Sequence, residues 1–275
     1  MTALRVLVPL DPTKLASRAV DVAVGLAGRR GVVELVSVTP DALPTAVVDA
    51  FLGVECDRLP SATVRCRRLD RGGVIDALLE DIARSGPDLI VLDSHGRGPL
   101  GEVILGSVSA DLVRSSPAPT MLVGPACAVP TGLRQLTVAV DGSVDSLGAL
   151  EVASRLSQRI GATLELVEVA DQVAYTSDVS ESAELHRLAG MVDPPVRAWD
   201  VLHGHDVPKA LVDHVGADRD VVLVVGSHGR SEGRPHVMGN TAARTVRQSP
   251  VPVLVVSPEA AAGHGARGMA GSSLG

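Results

Sequence analysis

Residues 226–240 read GSHGRSEGRPHVMGN and residues 93–107 read DSHGRGPLGEVILGS, so the tetrad SHGR at 94–97 returns at 227–230. Downstream, LVRSSPAPTMLVGP (112–125) returns as TVRQSPVPVLVVSP (245–258) at the same offset of 133 residues. Upstream, LVPLDPTKLASRAVDVA (7–23) corresponds to VAVDGSVDSLGALEVA (138–153), with Asp11 and Asp141 each standing between an apolar run and an amphipathic one. Self-similarity at a long fixed period marks a duplicated structural unit. Each copy, about 130 residues, has the size of one domain.

Within each copy short apolar runs alternate with helical stripes. Strands are expected at Arg5–Leu10, Val32–Val38, Thr63–Arg68, Asp88–Leu92 and Thr120–Val123. In the second copy they are expected at Leu136–Val140, Thr163–Val169, Val196–Leu202, Val221–Val225 and Val253–Val256. Leu15, Ala19, Val22 and Leu26 share one helical face, as do Leu147, Leu150, Ala153 and Leu156. This alternation predicts an α/β fold with a parallel sheet covered on both sides, built twice. Pro and Gly punctuate 125–132 (PACAVPTG), giving units 1–126 and 134–258 joined by a linker at 127–133. From Glu259 to Gly275 the chain is rich in Gly, Ala and Ser, and a disordered tail is expected.

Composition narrows the function. The net charge is −7, no basic stripe is present, and the aromatic share of 1% leaves nothing for bases to stack on. Nucleic acid is therefore excluded as a partner. No apolar run approaches the ~18 residues of a membrane span, and MTALRVLVPLDP at the N-terminus enters a strand at once, so a cytoplasmic protein is expected. Cys56, Cys66 and Cys127 are odd in number and lack a C-x-x-C spacing, and are read as reduced thiols.

What the glycine-rich stretches bind is the next question. A Walker-type loop needs a lysine, yet Lys14 and Lys209 are the only two in the chain. Gly96, Gly98 and Gly101 spell G-x-G-x-x-G, the dinucleotide pattern, but after the fourth strand instead of the first, and the second copy lacks it. Both copies keep a longer spacing: Gly226, two residues, Gly229, nine residues, Gly239, Asn240, and likewise Asp93, Gly96, Gly106, Ser107. Glycines after a strand let backbone N–H groups converge on an anion, and a helix starting at Gly106 or Ser107 adds the positive end of its dipole.

This spacing, G-x-x-G-x9-G-[ST], resembles the ATP-binding motif of the universal stress protein family. The proline-flanked entry to the last strand and the VAVDGS opening are similar to that family too, over both halves. The resemblance implies two tandem doubly wound, five-stranded parallel sheets of strand order 3-2-1-4-5, of the adenine nucleotide alpha-hydrolase-like kind. It also implies ATP as ligand, with Mg²⁺ as its counter-ion. By the same resemblance Pro9 and Asp11, or Ala139 and Asp141, contact the adenosine end, and Val38 or Val169 offers backbone groups to adenine. The phosphates fall to Asp93, Ser94, His95, Gly96, Arg97, Gly98, Gly106, Ser107 and Val108, or to Gly226, Ser227, His228, Gly229, Arg230, Gly239, Asn240 and Thr241. Family members pair through their fifth strands, which implies an intramolecular pseudo-dimer here and allows a homodimer.

Each copy departs from the motif once. Asp93 replaces the first glycine and sets a negative charge at the mouth of the loop. Asn240 replaces the hydroxyl residue and is expected to cap the following helix as an amide. Asp11 and Asp141 fit N-caps as well as ligand contacts. His95 and His228 have no serine or cysteine nucleophile at a motif spacing and are read as loop supports, so no enzyme activity is expected. His203, His205 and His214 lack a matching ligand shell and predict no metal site. Two readings lead, a regulatory ATP-binding protein or an interaction module of the same fold with one or both sites lapsed, and a third, an NAD-dependent enzyme, predicts a response to NAD and none to ATP.

Overall fold

A computed structural model of the chain describes residues 3–12, 18–28, 30–39, 43–57, 59, 64–69, 72–97, 103–130, 133–170, 178–229 and 238–263, with 95–97, 103–105 and 178–182 described as backbone. The first half runs β1 (Arg5–Pro9), α1 (Arg18–Ala27), β2 (Val32–Val38), α2 (Thr45–Asp57), β3 (Val64–Leu69), α3 (Val74–Ser85) and β4 (Leu89–Asp93). It continues through β5 (His95–Arg97), β6 (Val103–Leu105), α4 (Ser107–Ser115) and β7 (Thr120–Val123). The second half runs β8 (Gln135–Ala139), α5 (Val144–Ile160), β9 (Thr163–Ala170), α6 (Asp178–Ala189), β10 (Val196–His203), α7 (Val207–Val215), β11 (Val221–Gly226), α8 (Asn240–Gln248) and β12 (Val253–Val256).

The valine-rich runs become strands because both faces of the sheet are covered, so successive residues are buried alternately on opposite sides. Val6 and Val8 face one core and Leu7 the other. One core collects α1, α2, α5 and α6, and the other α3, α4, α7 and α8. The buried stripe of α1 (Ala19, Val20, Val22, Ala23, Leu26) matches that of α5 (Ala149, Leu150, Val152, Ala153, Leu156) at a constant offset of 130 residues. Leu147 is the exception to the expected α5 face, being 39% exposed. Leu15 lies outside the described residues.

In each half the strand order is 3-2-1-4-5: β3-β2-β1-β4-β7 and β10-β9-β8-β11-β12. Within each half the pairings are parallel. The fifth strands meet antiparallel, with Val253 opposite Leu122, Leu254 opposite Met121 and Val255 opposite Thr120, so the two sheets form a single ten-stranded one. This pairing removes two sheet edges. The junction is tight. A Cβ on Gly124 would stand 2.3 Å from the carbonyl oxygen of Val246 at the end of α8. Ala128 N–H donates to the Pro250 carbonyl across the same seam at 3.0 Å, while the Arg18 guanidinium donates to the carbonyls of Gly124, Pro125 and Cys127.

Three sequence expectations need correction. Cys56 and Cys66 are joined in a disulfide between α2 and β3, with Cα atoms 6.3 Å apart, so only Cys127 is a free thiol. Their ten-residue separation resembles no framework or metal spacing, and proximity comes from α2 folding back onto β3. The tail is ordered further than its composition suggests: residues 258–263 are helical and Ala260 is buried, while 264–275 lie outside the described residues. The loop at 93–107 contains a short antiparallel hairpin of β5 with β6. No helix among the described residues is long and apolar enough to cross a membrane.

Candidate functional site

Reversal of winding between the first and fourth strands opens a crevice at their C-terminal ends. In the second half β8 and β11 border it, and the loop after β11 is built against the start of α5. Ser143 caps α5 by accepting from Ser146 N–H at 3.2 Å. Asp141, two residues earlier, is not the cap: its Oδ1 accepts from Ser143 N–H at 3.0 Å, the geometry of an Asx turn. The other carboxylate oxygen of Asp141 lies 3.0 Å from where a Cβ on Gly229 would sit. A side chain here would crowd the carboxylate, which would have to give by a few tenths of an ångström.

The rest of the loop is anchored from both ends. Ser227 N–H donates to the Val256 carbonyl at 2.8 Å, and Gly239 N–H donates to the Ser227 carbonyl at 2.8 Å, closing the excursion between them. Gly226 packs on the α5 terminus, where an added Cβ would stand 3.0 Å from Asp145. Gly239 then starts α8 in an extended conformation and provides no side-chain cap, so Asn240 is the first helical residue and not the expected cap. The helix therefore opens toward the loop with its terminal backbone dipole. Thr241 follows it, and Arg230 lies outside the described residues.

Sequence reasoning missed Asp145. Its Oδ2 accepts from Ser227 Oγ at 3.1 Å and from His228 N–H at 3.1 Å, and lies 3.3 Å from His228 Nδ1. Ser227 Oγ is 2.9 Å from the same ring nitrogen. His228 does support the loop, but through a carboxylate and a hydroxyl. The available signal was a difference between the copies: counting four residues from Asp141 gives Asp145, and four from Asp11 gives Leu15.

The first-half crevice holds the same positions with different chemistry. Pro9 ends β1, Asp11 is exposed just beyond it, and Asp93 ends β4 with its carbonyl accepting from Ser109 Oγ at 3.3 Å. His95, Gly96 and Arg97 pair with Leu105, Ile104 and Val103 in the hairpin, and Gly98 lies outside the described residues. Gly106 precedes α4 without a side-chain cap, as Gly239 precedes α8, and Ser107 and Val108 are its first two residues. Ser94 is 2% exposed and its hydroxyl has no partner among the described residues. Val38 is buried opposite Leu69, and Ala139 and Val169 are held opposite Val167 and Leu202.

Among the described residues no group of three His, Cys, Asp or Glu side chains is arranged to hold a metal. His203 and His205 are exposed, while His214 sits on α7 with Nε2 3.2 Å from Glu165 Oε1.

The universal stress protein family model matches residues 3–124 and again 132–257. Universal stress protein Rv2005c of Mycobacterium tuberculosis is 31% identical over 182 residues, 61% of this chain and 61% of that protein. A universal stress protein of Mycolicibacterium smegmatis is 27% identical over 189 residues, 64% of each. The chain thus aligns with less than two thirds of the length of these relatives. A universal stress protein structure from Archaeoglobus fulgidus superimposes with a TM-score of 0.65 at 19% identity, covering 94% of this chain and 99% of that one. A putative universal stress protein from Pseudomonas aeruginosa gives 0.61 at 18% identity, covering 94% and 95%. At these identities the likeness is one of fold. With both halves matched, the chain belongs to the universal stress protein family as a tandem of two units.

Proposed function

We propose that the protein is a regulatory adenine-nucleotide-binding protein that holds ATP, with Mg²⁺, in its second half, between the unit boundaries 134 and 258. The observation that carries this reading is the closeness of Asp141 to Gly229: a Cβ on the glycine would stand 3.0 Å from the carboxylate oxygen, so the loop backbone and the acid face each other directly. Asp141 is suited to accept from ribose hydroxyls, while the loop from Gly226 to Gly229 and the uncapped start of α8 at Gly239, Asn240 and Thr241 suit the phosphates. Binding would bridge β8, β11 and α8, and so bias their relative positions without covalent chemistry.

The first half supports the other reading, a fold retained without its ligand. Its loop backbone is paired with itself in the β5–β6 hairpin, which diverts donors from an anion, and Asp93 adds a carboxylate at the mouth. Its role is then to complete the shared sheet and core.

The test is a thermal melt with MgATP, beside mass analysis of small molecules released by denaturing the purified protein. A ligand at 100 times its Kd adds about 2.7 kcal/mol, which for a chain of this size raises Tm by roughly 5–10 °C. An adenine nucleotide in the released fraction, or that rise, is expected. No rise and no nucleotide contradicts the reading, and a rise with NAD alone would redirect it to dinucleotide chemistry.

A further inference from the structure

We propose that Asp145 is the positioning residue of the second-half loop, and that its replacement by an aliphatic residue in the first copy is what separates the two halves. One carboxylate oxygen gathers three groups at the start of the loop: Ser227 Oγ, the His228 backbone N–H and His228 Nδ1, at 3.1, 3.1 and 3.3 Å. Its side chain is 15% exposed, and Ser227 is 2% exposed. A buried hydroxyl or N–H that loses its acceptor carries the full cost of desolvation. The same residue's backbone and Cβ face Gly226, 3.0 Å from where a Cβ on that glycine would stand. Asp145 therefore fixes three consecutive loop residues to the first turn of α5.

The arrangement also favours hydrogen on one ring nitrogen of His228 over the other. A carboxylate only accepts. Ser227 Oγ donates its hydrogen to Asp145, which leaves it to accept from the ring at 2.9 Å. Both contacts of Nδ1 are satisfied only when Nδ1 bears the hydrogen, so the neutral ring is bare at Nε2. The first copy has no carboxylate at the matching position. Position 15, at the constant offset of 130 that aligns α1 with α5, is leucine, and the Ser94 hydroxyl, matching Ser227, is buried with no partner among the described residues.

The test uses the full chain, labelled with ¹⁵N, at a pH where imidazole is neutral, with His228→Gln identifying the signal. The wild type is expected to give an Nδ1-protonated, Nε2-bare pattern at His228, and Asp145→Ala to shift the ring toward the Nε2-protonated form that free imidazole side chains favour. Asp145→Asn, nearly isosteric, guards against misfolding: its amide keeps one acceptor but not all three contacts, so a partial shift is expected. A wild-type ring protonated at Nε2, or a tautomer unchanged in both variants, overturns the proposal. The nucleotide arm rests on the function proposed above: MgATP affinity is expected to fall at least tenfold in Asp145→Ala and less in Asp145→Asn, and equal affinity in all three proteins overturns the positioning role. Should the wild type bind no nucleotide, the functional reading fails, while the tautomer still decides the role of Asp145.

Discussion

The Asp141 carboxylate oxygen Oδ2 and Gly229 stand so close that a Cβ on the glycine would lie 3.0 Å from it. The stretch after β8 and the loop after β11 thereby meet at the crevice. Gly229→Ala is expected to weaken MgATP binding several-fold, because the loop or the carboxylate must move by a few tenths of an ångström. Gly229 is partly exposed, and the cost in stability is expected to stay within about 1 kcal/mol. Titration calorimetry beside urea denaturation separates the two effects. Unchanged affinity would remove the glycine from the site.

Gly124 governs the seam between the halves. A Cβ there would stand 2.3 Å from the Val246 carbonyl oxygen, a backbone atom that a rotamer change cannot move. Gly124→Val is expected to destabilise the protein by about 1–3 kcal/mol through overpacking. Because both cores run across the two halves, one unfolding transition is expected for the wild type. Circular dichroism in urea reads both, and a midpoint unchanged by the substitution would contradict the packing described.

Arg67 joins two carboxylates of the first half, 2.7 Å from Glu34 Oε2 and 2.6 Å from Asp81 Oδ1, and the Asp81 side chain is 1% exposed. Burial opposes ionisation of both acids, but hydrogen bonds from Arg5 and Arg67 to Glu34, and from Arg67 and Arg84 to Asp81, outweigh it and hold both below their ordinary values. A depressed pKa in the folded state gives stability that is complete above the unfolded values, 4.5 and 3.8, and is lost as pH falls through the lower folded ones. Arg67→Leu is expected to cost about 3–5 kcal/mol at neutral pH by leaving buried charge poorly paired. It should also flatten the fall in stability below pH ~5. Denaturation midpoints from neutral to acid pH, with parallel curves for variant and wild type, would contradict this.

The cysteines make a simple count. Denatured without reductant, the protein is expected to yield one reactive thiol, Cys127, and three after reduction. In the folded state burial pushes the Cys127 thiol up to about 11, so it should react slowly at neutral pH. Removing the short cross-link with Cys66→Ser is expected to cost about 2–3 kcal/mol. Three thiols titrating before reduction would exclude the disulfide.

Much of the fold was legible because its signals were local. The apolar runs at 120–123 and 253–256 coincide with β7 and β12, and most other strand ends fall within one residue of those expected, Thr63 lying outside the described residues. The pairing of β7 with β12 followed from the family resemblance, while its antiparallel sense is visible only in the structure, since no local signal encodes either. What the sequence concealed depended on tertiary contact. Cys56 and Cys66 meet because α2 returns onto β3, the 258–263 helix forms because Ala260 has a core to enter, and Asp145 matters only because β11 brings Ser227 and His228 to it. In the loop at 93–107 glycine richness masked the strand propensity of Val103–Leu105, whose partner is supplied by His95–Arg97.

The second half is proposed to hold one nucleotide per chain, and titration calorimetry with MgATP on the wild type, Gly229→Glu and Gly96→Glu measures this. A stoichiometry of about one is expected for the wild type, retained in Gly96→Glu and abolished in Gly229→Glu. Binding that survives Gly229→Glu and is lost in Gly96→Glu, or two equivalent sites in the wild type, would contradict it.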